Sequence, residues 1–523
     1  MIRDNRRTAR MDFKGGLELE SNPLKIQPGA LISCKNFRVK SGGGYERIGG
    51  YEVFDGQPSP ADSLDPDAAR ALIQAVPGEG VVLGVWLFKG VVYAFRNAVG
   101  GASAKMYKST ATGWQEVATG VTLQPDGRYE FVTYNFFANT STVAMYGVDG
   151  VNLPFKFDGT TFTQLTVTGA TDPAEHITAH KNHLFISYPK GQWVHSGLGD
   201  PTKWDPTTEG AGAGGVGDDI VGMMPTVGGA LAFFCRNRVN ILYGSSQADW
   251  QANDMRNQSE SAGALAHSMQ SIGGDIVYLD DRGLTVLGQA QEFGNFKSGA
   301  IDRPVRRYVQ TAKPYVNASC ISRDNDEYRL FIRRAIETDV LTATFGRTFD
   351  GFAQTTYPIL INCICSLEDD TGAERIFAGA DDGFVYELDK GTSFNGAAIY
   401  AYLKTAFNHL GSPSHKKRWR YARFSLDASG TVTLKIKPDF DYSATDKASH
   451  TVMDAATIGS GALWGEGIWG EFTWGAQIYG ETDIDISGTG KNMGLLITND
   501  SADTPPFTIY DAILTYSPRG FTR

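Results

Sequence analysis

Short apolar segments followed by polar or glycine turns recur along the middle of the chain. Seven of them begin at Gly90, Thr142, Asn182, Gly229, Asp275, Asp326 and Arg375, so successive starts lie 52, 40, 47, 46, 51 and 49 residues apart. Propeller blades are four-stranded and about 40–50 residues long. The spacing therefore predicts a β-propeller-like body of six or seven degenerate blades over residues 61–396. Two β-sandwiches are the alternative architecture.

The segments on either side of this body also have a β pattern. In residues 1–60, the alternating stretches FRVKS and YERIG flank three glycines, which predicts a hairpin within an extended N-terminal arm that serves as a docking segment. Residues 397–523 end in alternating stretches such as MGLLITND and FTIYDAILTYSP, which predict a β-sandwich-like domain. That domain also contains aromatic-glycine pairs with a period of five, at Trp464, Trp469, Trp474 and Tyr479. The chain is predicted to be all-β.

Composition narrows the classes of function. The 61 glycines are about 12% of the 523 residues, against a usual value near 7%, which suits short strands and tight turns. The 48 basic and 58 acidic side chains give a net charge of −10, which disfavours a protein whose main role is to grip nucleic acid. No apolar run reaches the ~18 residues of a membrane helix, and the polar N-terminus does not resemble a signal peptide. We expect synthesis in a reducing cytoplasm and no membrane insertion.

Candidate catalytic and metal-binding groups are weak. His176, His180 and His183 lie close together with His195 nearby, but in a strand-and-turn context, where His176 and His180 should share a face that His183 opposes. Cys363 and Cys365 form a C-x-C pair without a second pair to complete a zinc site. Phosphate-binding loops and nucleophile elbows are absent from the sequence. We expect no catalytic residue, no cofactor and no metal.

Two basic clusters and one glycine-rich segment are the candidate interaction sites. The N-terminal cluster is either a solvated terminus or an arm that docks on an acidic partner or on phosphate. The second cluster interleaves with aromatic residues, so it is a candidate contact with another subunit or with DNA, or a solvated strand. The glycine-rich segment is a candidate loop of a channel. The residues are Arg3, Arg6, Arg7 and Arg10 for the first cluster, Lys416, Lys417, Arg418 and Arg420 for the second, and Gly210, Gly212, Gly214, Gly215 and Gly217 for the loop.

The opening stretch GGLELESNPLKIQPGALISCKNFRVKSGGGYERIGGYEVFDG resembles the start of tail proteins of short-tailed bacteriophages. In those proteins a similar glycine-rich pattern precedes a propeller-like body. The Trp-Gly repeats and the basic stretch after LGSP also resemble C-terminal parts of phage tail structural proteins. The likeness covers about the first 45 residues by sequence and the rest by architecture.

This resemblance implies a tail nozzle, or tail tubular, protein of the virion. Such proteins form hexameric rings below the portal and adaptor, extend the channel for double-stranded DNA, help retain packaged DNA, and dock tail fibres or spikes. The expected partners are therefore other copies of this chain, portal and adaptor proteins, fibre or spike proteins, and DNA bound without sequence specificity. A carbohydrate- or receptor-binding propeller of a fibre or spike is the alternative function, and a glycosidase-like propeller is the third.

Overall fold

The structure is a computed structural model of the 523-residue chain. It describes all residues except 1–5, 24, 139–142, 170–171, 245–248, 251–254, 260–262, 290–295, 347–348, 431, 443–452, 455–477 and 522–523. The Trp-Gly repeat at Trp464, Trp469 and Trp474, like Arg3 of the N-terminal cluster, lies outside the described residues.

Five strands form within the first 54 residues. They are β1 (Arg7–Asp12), β2 (Leu31–Lys35), β3 (Phe37–Val39), β4 (Tyr45–Arg47) and β5 (Tyr51–Phe54). Strands β3 and β4 pair antiparallel around Gly42, Gly43 and Gly44, and all three glycines have positive φ angles. Glycine adopts that backbone conformation without steric penalty. The predicted hairpin is therefore confirmed.

Helix α1 (Pro66–Leu72) comes next, and the described residues then form seven four-stranded antiparallel sheets along the chain. The first three sheets contain β6 (Glu79–Phe88), β7 (Val91–Asn97), β8 (Ala104–Thr110) and β9 (Gly113–Val117); β10 (Glu130–Tyr134), β11 (Ala144–Val148), β12 (Phe155–Phe157) and β13 (Phe162–Gln164); and β14 (His176–His180), β15 (His183–Tyr188), β16 (Gln192–His195) and β17 (Gly212–Gly215).

The next four sheets have the same up-and-down order, and helix α2 (Arg306–Ala312) precedes the sixth. They contain β18 (Ile220–Pro225), β19 (Leu231–Cys235), β20 (Val239–Leu242) and β21 (Met255–Ser259); β22 (Gln270–Ile272), β23 (Asp275–Leu279), β24 (Leu284–Gln289) and β25 (Phe296–Ala300); β26 (Val316–Ser322), β27 (Glu327–Arg333), β28 (Thr338–Phe345) and β29 (Phe349–Tyr357); and β30 (Ile361–Glu368), β31 (Glu374–Ala380) and β32 (Val385–Leu388), with β5 as the fourth strand.

Two larger sheets are built from the rest of the chain. Their C-terminal strands are β33 (Ile399–Thr405), β34 (His415–Ala428), β35 (Lys435–Phe440), β36 (Met453–Asp454), β37 (Ile478–Gly490), β38 (Met493–Ser501) and β39 (Phe507–Phe521). One sheet has the order β2-β33-β38-β35-β36. The other has the order β3-β4-β39-β34-β37, and β1 also pairs with β39. Apolar side chains of both sheets share one core, which continues into the fifth and sixth four-stranded sheets.

The architecture is all-β and propeller-like. Strands β10, β14 and β18 contact one another in sequence, and β6 packs against β30 of the seventh sheet. The first four-stranded sheet therefore lies against the seventh. Across the described residues, no helix is both long and apolar enough to cross a membrane.

The N-terminal segment is not a separate arm over residues 7–54. Strand β1 pairs with β39, β2 pairs with β33, and β5 pairs with β32, so this segment supplies strands to three different sheets. The guanidinium of Arg47, which is fully buried, donates to the carbonyls of Thr504, Ser501 and Thr392. The physical reason is that the backbone groups of β1, β2 and β5 and the buried Arg47 find their hydrogen-bond partners in distant parts of the chain.

Replacement of Tyr51 tests the contribution of β5 to this closure. Its ring is 3% exposed and packs against Tyr357, Tyr386 and Phe394 at centroid distances of 5.9, 5.2 and 5.0 Å. We expect Tyr51→Ala to lower the free energy of unfolding by about 3–5 kcal/mol in urea denaturation, because it leaves a cavity in a packed aromatic cluster. The control is Tyr400→Ala, since Tyr400 is 50% exposed and should cost less than about 1 kcal/mol. Equal losses in the two variants would contradict this role of β5.

Candidate functional site

The first strands of all seven four-stranded sheets line a central cavity of about 570 Å³. This volume is in the range of small-molecule sites. Side chains that face it come from every sheet, for example Trp86, Glu130, Met223 and Gln270. The cavity is thus a product of the circular arrangement and not of any one segment.

A carboxylate with two histidines lies at one side of this cavity, which Glu130 and His267 line directly. The Oε2 atom of Glu130 lies 3.0 Å from Nδ1 of His176, and its Oε1 atom lies 3.2 Å from Nδ1 of His267. Glu130 belongs to β10 and His176 to β14, whereas His267 precedes β22. One carboxylate therefore links the second sheet, the third sheet and the segment between the fourth and fifth sheets.

The charges of these three groups follow from their burial and contacts. Burial opposes the charged form of His176, but the Glu130 carboxylate outweighs it, so the pKa of His176 is raised. Burial also opposes ionisation of Glu130, yet the two imidazoles hold its pKa well below the usual range. Burial lowers the pKa of His267 despite its bond to Glu130. These pKa shifts favour an ionised Glu130 paired with a protonated His176, beside a neutral His267.

The rest of the cavity combines two arginines, Arg128 and Arg323, with an apolar wall. Arg128 donates to Oδ1 and to the backbone carbonyl of Asn317, which ties the second sheet to the sixth. Trp86 and Phe131 stack with their ring centroids 5.4 Å apart, and Trp86 donates to Thr133 Oγ1 at 2.9 Å. This arrangement can hold a small molecule that has one polar end and one apolar face.

The thiols around the cavity are unreactive at neutral pH. Burial raises the pKa of Cys363 and of Cys365 to about 12, and it raises the pKa of Cys320 further. A thiol rather than a thiolate is therefore present, and thiolate is the form that attacks electrophiles and binds metals. In the part of the chain that the structure describes, no group of three or more His, Cys, Asp or Glu side chains could hold a metal ion.

The histidines singled out by the sequence lie in the third sheet, but not with the predicted facing. His180 and His183 are directly opposite each other across a two-residue turn, whose Lys181 and Asn182 both have positive φ. Such a turn places the two flanking side chains on the same face of the hairpin. The prediction that His183 lies on the other face from His180 is therefore wrong. The imidazoles of both residues contact the indole of Trp250. His183 and His195 both approach the carbonyl of Ser196 through Nδ1, at 2.6 and 2.9 Å.

The structure brings the two predicted basic clusters onto one sheet. Arg10 on β1 and Arg423 on β34 both lie opposite Ile513 of β39, one on each side. Arg10 is ion-paired with Asp511 at 2.6 Å, and Arg423 is ion-paired with Asp483 at 2.8 Å. Charges in the middle of this sheet are therefore paired within the sheet.

The members of the second cluster differ in accessibility. Lys417 is 2% exposed and its Nζ donates to the carbonyls of Ser412, His415 and Lys491. It is consequently a structural lysine, and its prediction as a contact residue is wrong because its donors are already used inside the fold. Arg418 is exposed, whereas Lys416 and Arg420 are half-buried.

The glycine-rich segment is not a loop over residues 212–215, where it forms β17, the fourth strand of the third sheet. A Cβ atom on Gly214 would lie 2.4 Å from the indole of Trp193, and one on Gly212 would lie 2.4 Å from Nε2 of His195. These glycines therefore allow an indole and an imidazole to lie directly on the strand. The predicted channel loop comprised Gly210, Gly212, Gly214, Gly215 and Gly217. The prediction of a loop is wrong for Gly212, Gly214 and Gly215, which lie in β17.

The residues of the central cavity were missed by sequence reasoning. Glu130, His267 and Arg128 stand in no motif, and they lie on segments that are distant in the sequence. Only His176 carried a signal, as part of the histidine cluster. In the structure His267 has a positive φ of 60°, a conformation that sequence pattern does not reveal.

Replacement of Glu130 should destabilise the protein in a pH-dependent manner. The pKa of His176 is raised in the folded state, so its contribution is present below the unfolded pKa of about 6.5 and is lost as pH rises through the folded pKa. We expect Glu130→Gln to lower the free energy of unfolding by about 2 kcal/mol near pH 6 and by clearly less near pH 9. The control is Glu116→Gln, which removes an exposed pair with Lys105 and should cost less than about 0.5 kcal/mol. A pH-independent loss in Glu130→Gln would contradict the ionised pair.

His180 should have the opposite linkage. Burial, with the nearby Lys181 and His183, lowers the pKa of His180 to about 4. The unfolded chain then takes up a proton near pH 6.5 while the folded chain resists it, so stability falls as pH drops from about 6.5 to 4. Between about pH 7.5 and 4.5, the free energy of unfolding of the parent should fall by about 2 kcal/mol more than that of His180→Gln. Thermal unfolding across this pH range measures the difference. Parallel pH curves for the two proteins would show that His180 does not titrate in this way.

Comparisons with known proteins identify no family and give distant structural likenesses. No protein-family model and no curated protein sequence matches the chain. Among solved structures, "YCF48 bound to D1 peptide" is 12% identical, with a TM-score of 0.40, over 60% of this chain and 93% of that one. The computationally designed Ika8 protein is 9% identical, with a TM-score of 0.37, over 61% of this chain and 98% of that one. The extracellular domain of the putative hybrid two-component system BT3049 from B. thetaiotaomicron is 12% identical, with a TM-score of 0.38, over 62% of this chain and 41% of that one. These structures are propeller-like proteins.

Proposed function

We propose that this chain is a structural protein of a short-tailed phage virion, and that it forms the tail nozzle ring below the portal and adaptor. In this role it extends the DNA channel, helps to retain packaged DNA, and docks fibres or spikes. It acts as a scaffold and not as an enzyme. The proposal also assigns the seven four-stranded sheets as seven blades of a closed propeller and the two larger sheets as a β-sandwich.

The observation that carries this proposal is the position of the segment that resembles phage tail proteins. That segment contains β2, β3, β4 and β5, and it joins the sandwich sheets to the last four-stranded sheet. Its motif residues have defined structural tasks: the hydroxyl of Tyr45 donates to the carbonyl of Gly29 at 2.7 Å, and Gly50 lies so close to Ser393 that a Cβ would approach its carbonyl oxygen to 1.9 Å. The resembling residues are thus those that hold the two units together.

Physical requirements of a nozzle ring agree with this body. A ring closed by head-to-tail contacts needs two different complementary surfaces on each subunit, which two fused units of unlike shape supply. A net charge of −10 keeps a channel protein from adhering to the DNA that slides through it. The N-terminal segment resists separation of the two units because separation would break its backbone pairing in three sheets.

The test is the mass of the purified full-length protein over a wide concentration range, alone and with a portal–adaptor assembly. Rings of about six copies, or assembly only on the adaptor, are the expected result. A protein that stays monomeric and ignores the adaptor would overturn the proposal. Binding of that monomer to a glycan array would instead favour a receptor-binding propeller of a fibre or spike.

A further inference from the structure

One end of the six-stranded sheet collects basic side chains from segments that are distant in the sequence. Arg7 lies opposite Tyr516, and Arg418 lies opposite the next residue of β39, Ser517, on its other side. Residues 488–490 of β37 pair with the same end of β34. We define the basic end as six residues at these strand ends: Arg7, Lys416, Arg418, Arg420, Lys491 and Arg519.

Ion pairing separates the basic end from the middle of the same sheet. In the middle, Arg10 and Arg423 are neutralised by Asp511 and Asp483. At the basic end, Arg7, Arg418, Lys491 and Arg519 are exposed, and no ion pair to them is present among the described residues. Two acidic residues lie close to the basic end. Asp485 is three residues before Gly488 on β37, and Asp441 accepts a hydrogen bond from the backbone N–H of Lys491. Six cationic groups against two anionic ones leave a local excess of four positive charges in a chain whose net charge is −10.

The composition of this end favours a phosphate backbone over a protein face. The core of a protein–protein interface is apolar or aromatic and depleted in lysine. Among the large apolar side chains that the described residues expose, Tyr442 lies beside this end, next to Asp441, and Tyr400 lies on β33 in the other large sheet. One exposed tyrosine among six basic side chains does not form an apolar interface core. The four strand ends span about 15 Å, three gaps of roughly 4.8 Å, which is wide enough to reach several phosphates. Arginine guanidinium groups match phosphate oxygens in a two-pronged geometry.

We propose that the basic end binds the phosphate backbone of double-stranded DNA without reading its bases. The inference rests on the proposed function, because DNA that passes through the tail is the polymer this end would meet. It assigns the contact to the strand ends and excludes Lys417, Arg10 and Arg423, whose donors are used within the fold.

The experiment measures the affinity of the full-length protein for a fluorescent DNA duplex between about 50 and 200 mM salt. The test variant is Lys416→Gln/Arg418→Gln/Arg519→Gln. The matched control is Lys105→Gln/Arg10→Gln/Arg423→Gln, which removes the same residue types and the same net charge from three ion-paired positions. Each phosphate contact contributes about 0.9 to the slope of log affinity against log salt. We expect the test variant to lower that slope by about two to three and the affinity by at least tenfold, while the control keeps the parent slope.

Several results would overturn the inference. They are the absence of salt-dependent binding by the parent protein, an equal loss in the control variant, or binding of polyglutamate but not of DNA, which would assign the basic end to an acidic protein. The masses of the same samples separate this failure from failure of the proposed function. Rings that do not bind DNA refute only the basic end, and monomers that bind DNA through it refute only the nozzle. Thermal unfolding of both variants checks that they remain folded, which the exposure of Arg418 and Arg519 leads us to expect.

Discussion

The pairing of β5 with β32 is the interaction on which the rest of the architecture depends. It joins residues 51–54 to residues 385–388, so the seventh sheet is completed by a strand from the start of the chain. Closing a loop of this length costs conformational entropy, which the backbone hydrogen bonds and the buried Tyr51 cluster offset. Because of this closure, the first strands of all seven sheets converge on one cavity, and Glu130 reaches both His176 and His267.

The same N-terminal segment also sets the composition of the larger sheets. Its strands β1 and β2 pair with β39 and β33, which are far away in the sequence. This topology places β1 and β34 on opposite sides of β39, so two basic clusters that are about 400 residues apart along the chain become neighbours. Pairing with Asp511 and Asp483 neutralises the middle of that sheet, and among the described residues its end retains basic side chains without an ion pair. A scaffold that carries DNA could use such a localised contact without general adhesion.

Sequence patterns predicted the repeating strands well, for a physical reason. Each of the seven repeats falls on the second strand of a different four-stranded sheet, from β7 to β31. Strands in that position are covered on both faces, so they are the most continuous apolar segments, as in β15 and β19. The glycines of β17 were predicted to be a loop because glycine-rich segments usually are. In the structure they leave space for Trp193 and His195, and the sequence pattern alone does not reveal this packing.

The amino-acid sequence by itself determined the all-β class, the spacing of the repeats, the hairpin at Gly42–Gly44 and the two basic clusters, since these depend on local periodicity and turn chemistry. Only the tertiary structure decided which strands complete which sheets, that Lys417 is buried, and that Glu130, His176 and His267 meet at one cavity. Local pattern carries no information on partners that lie hundreds of residues apart. Those partners are selected by long-range pairing and by the burial of polar groups that must find hydrogen bonds inside the fold.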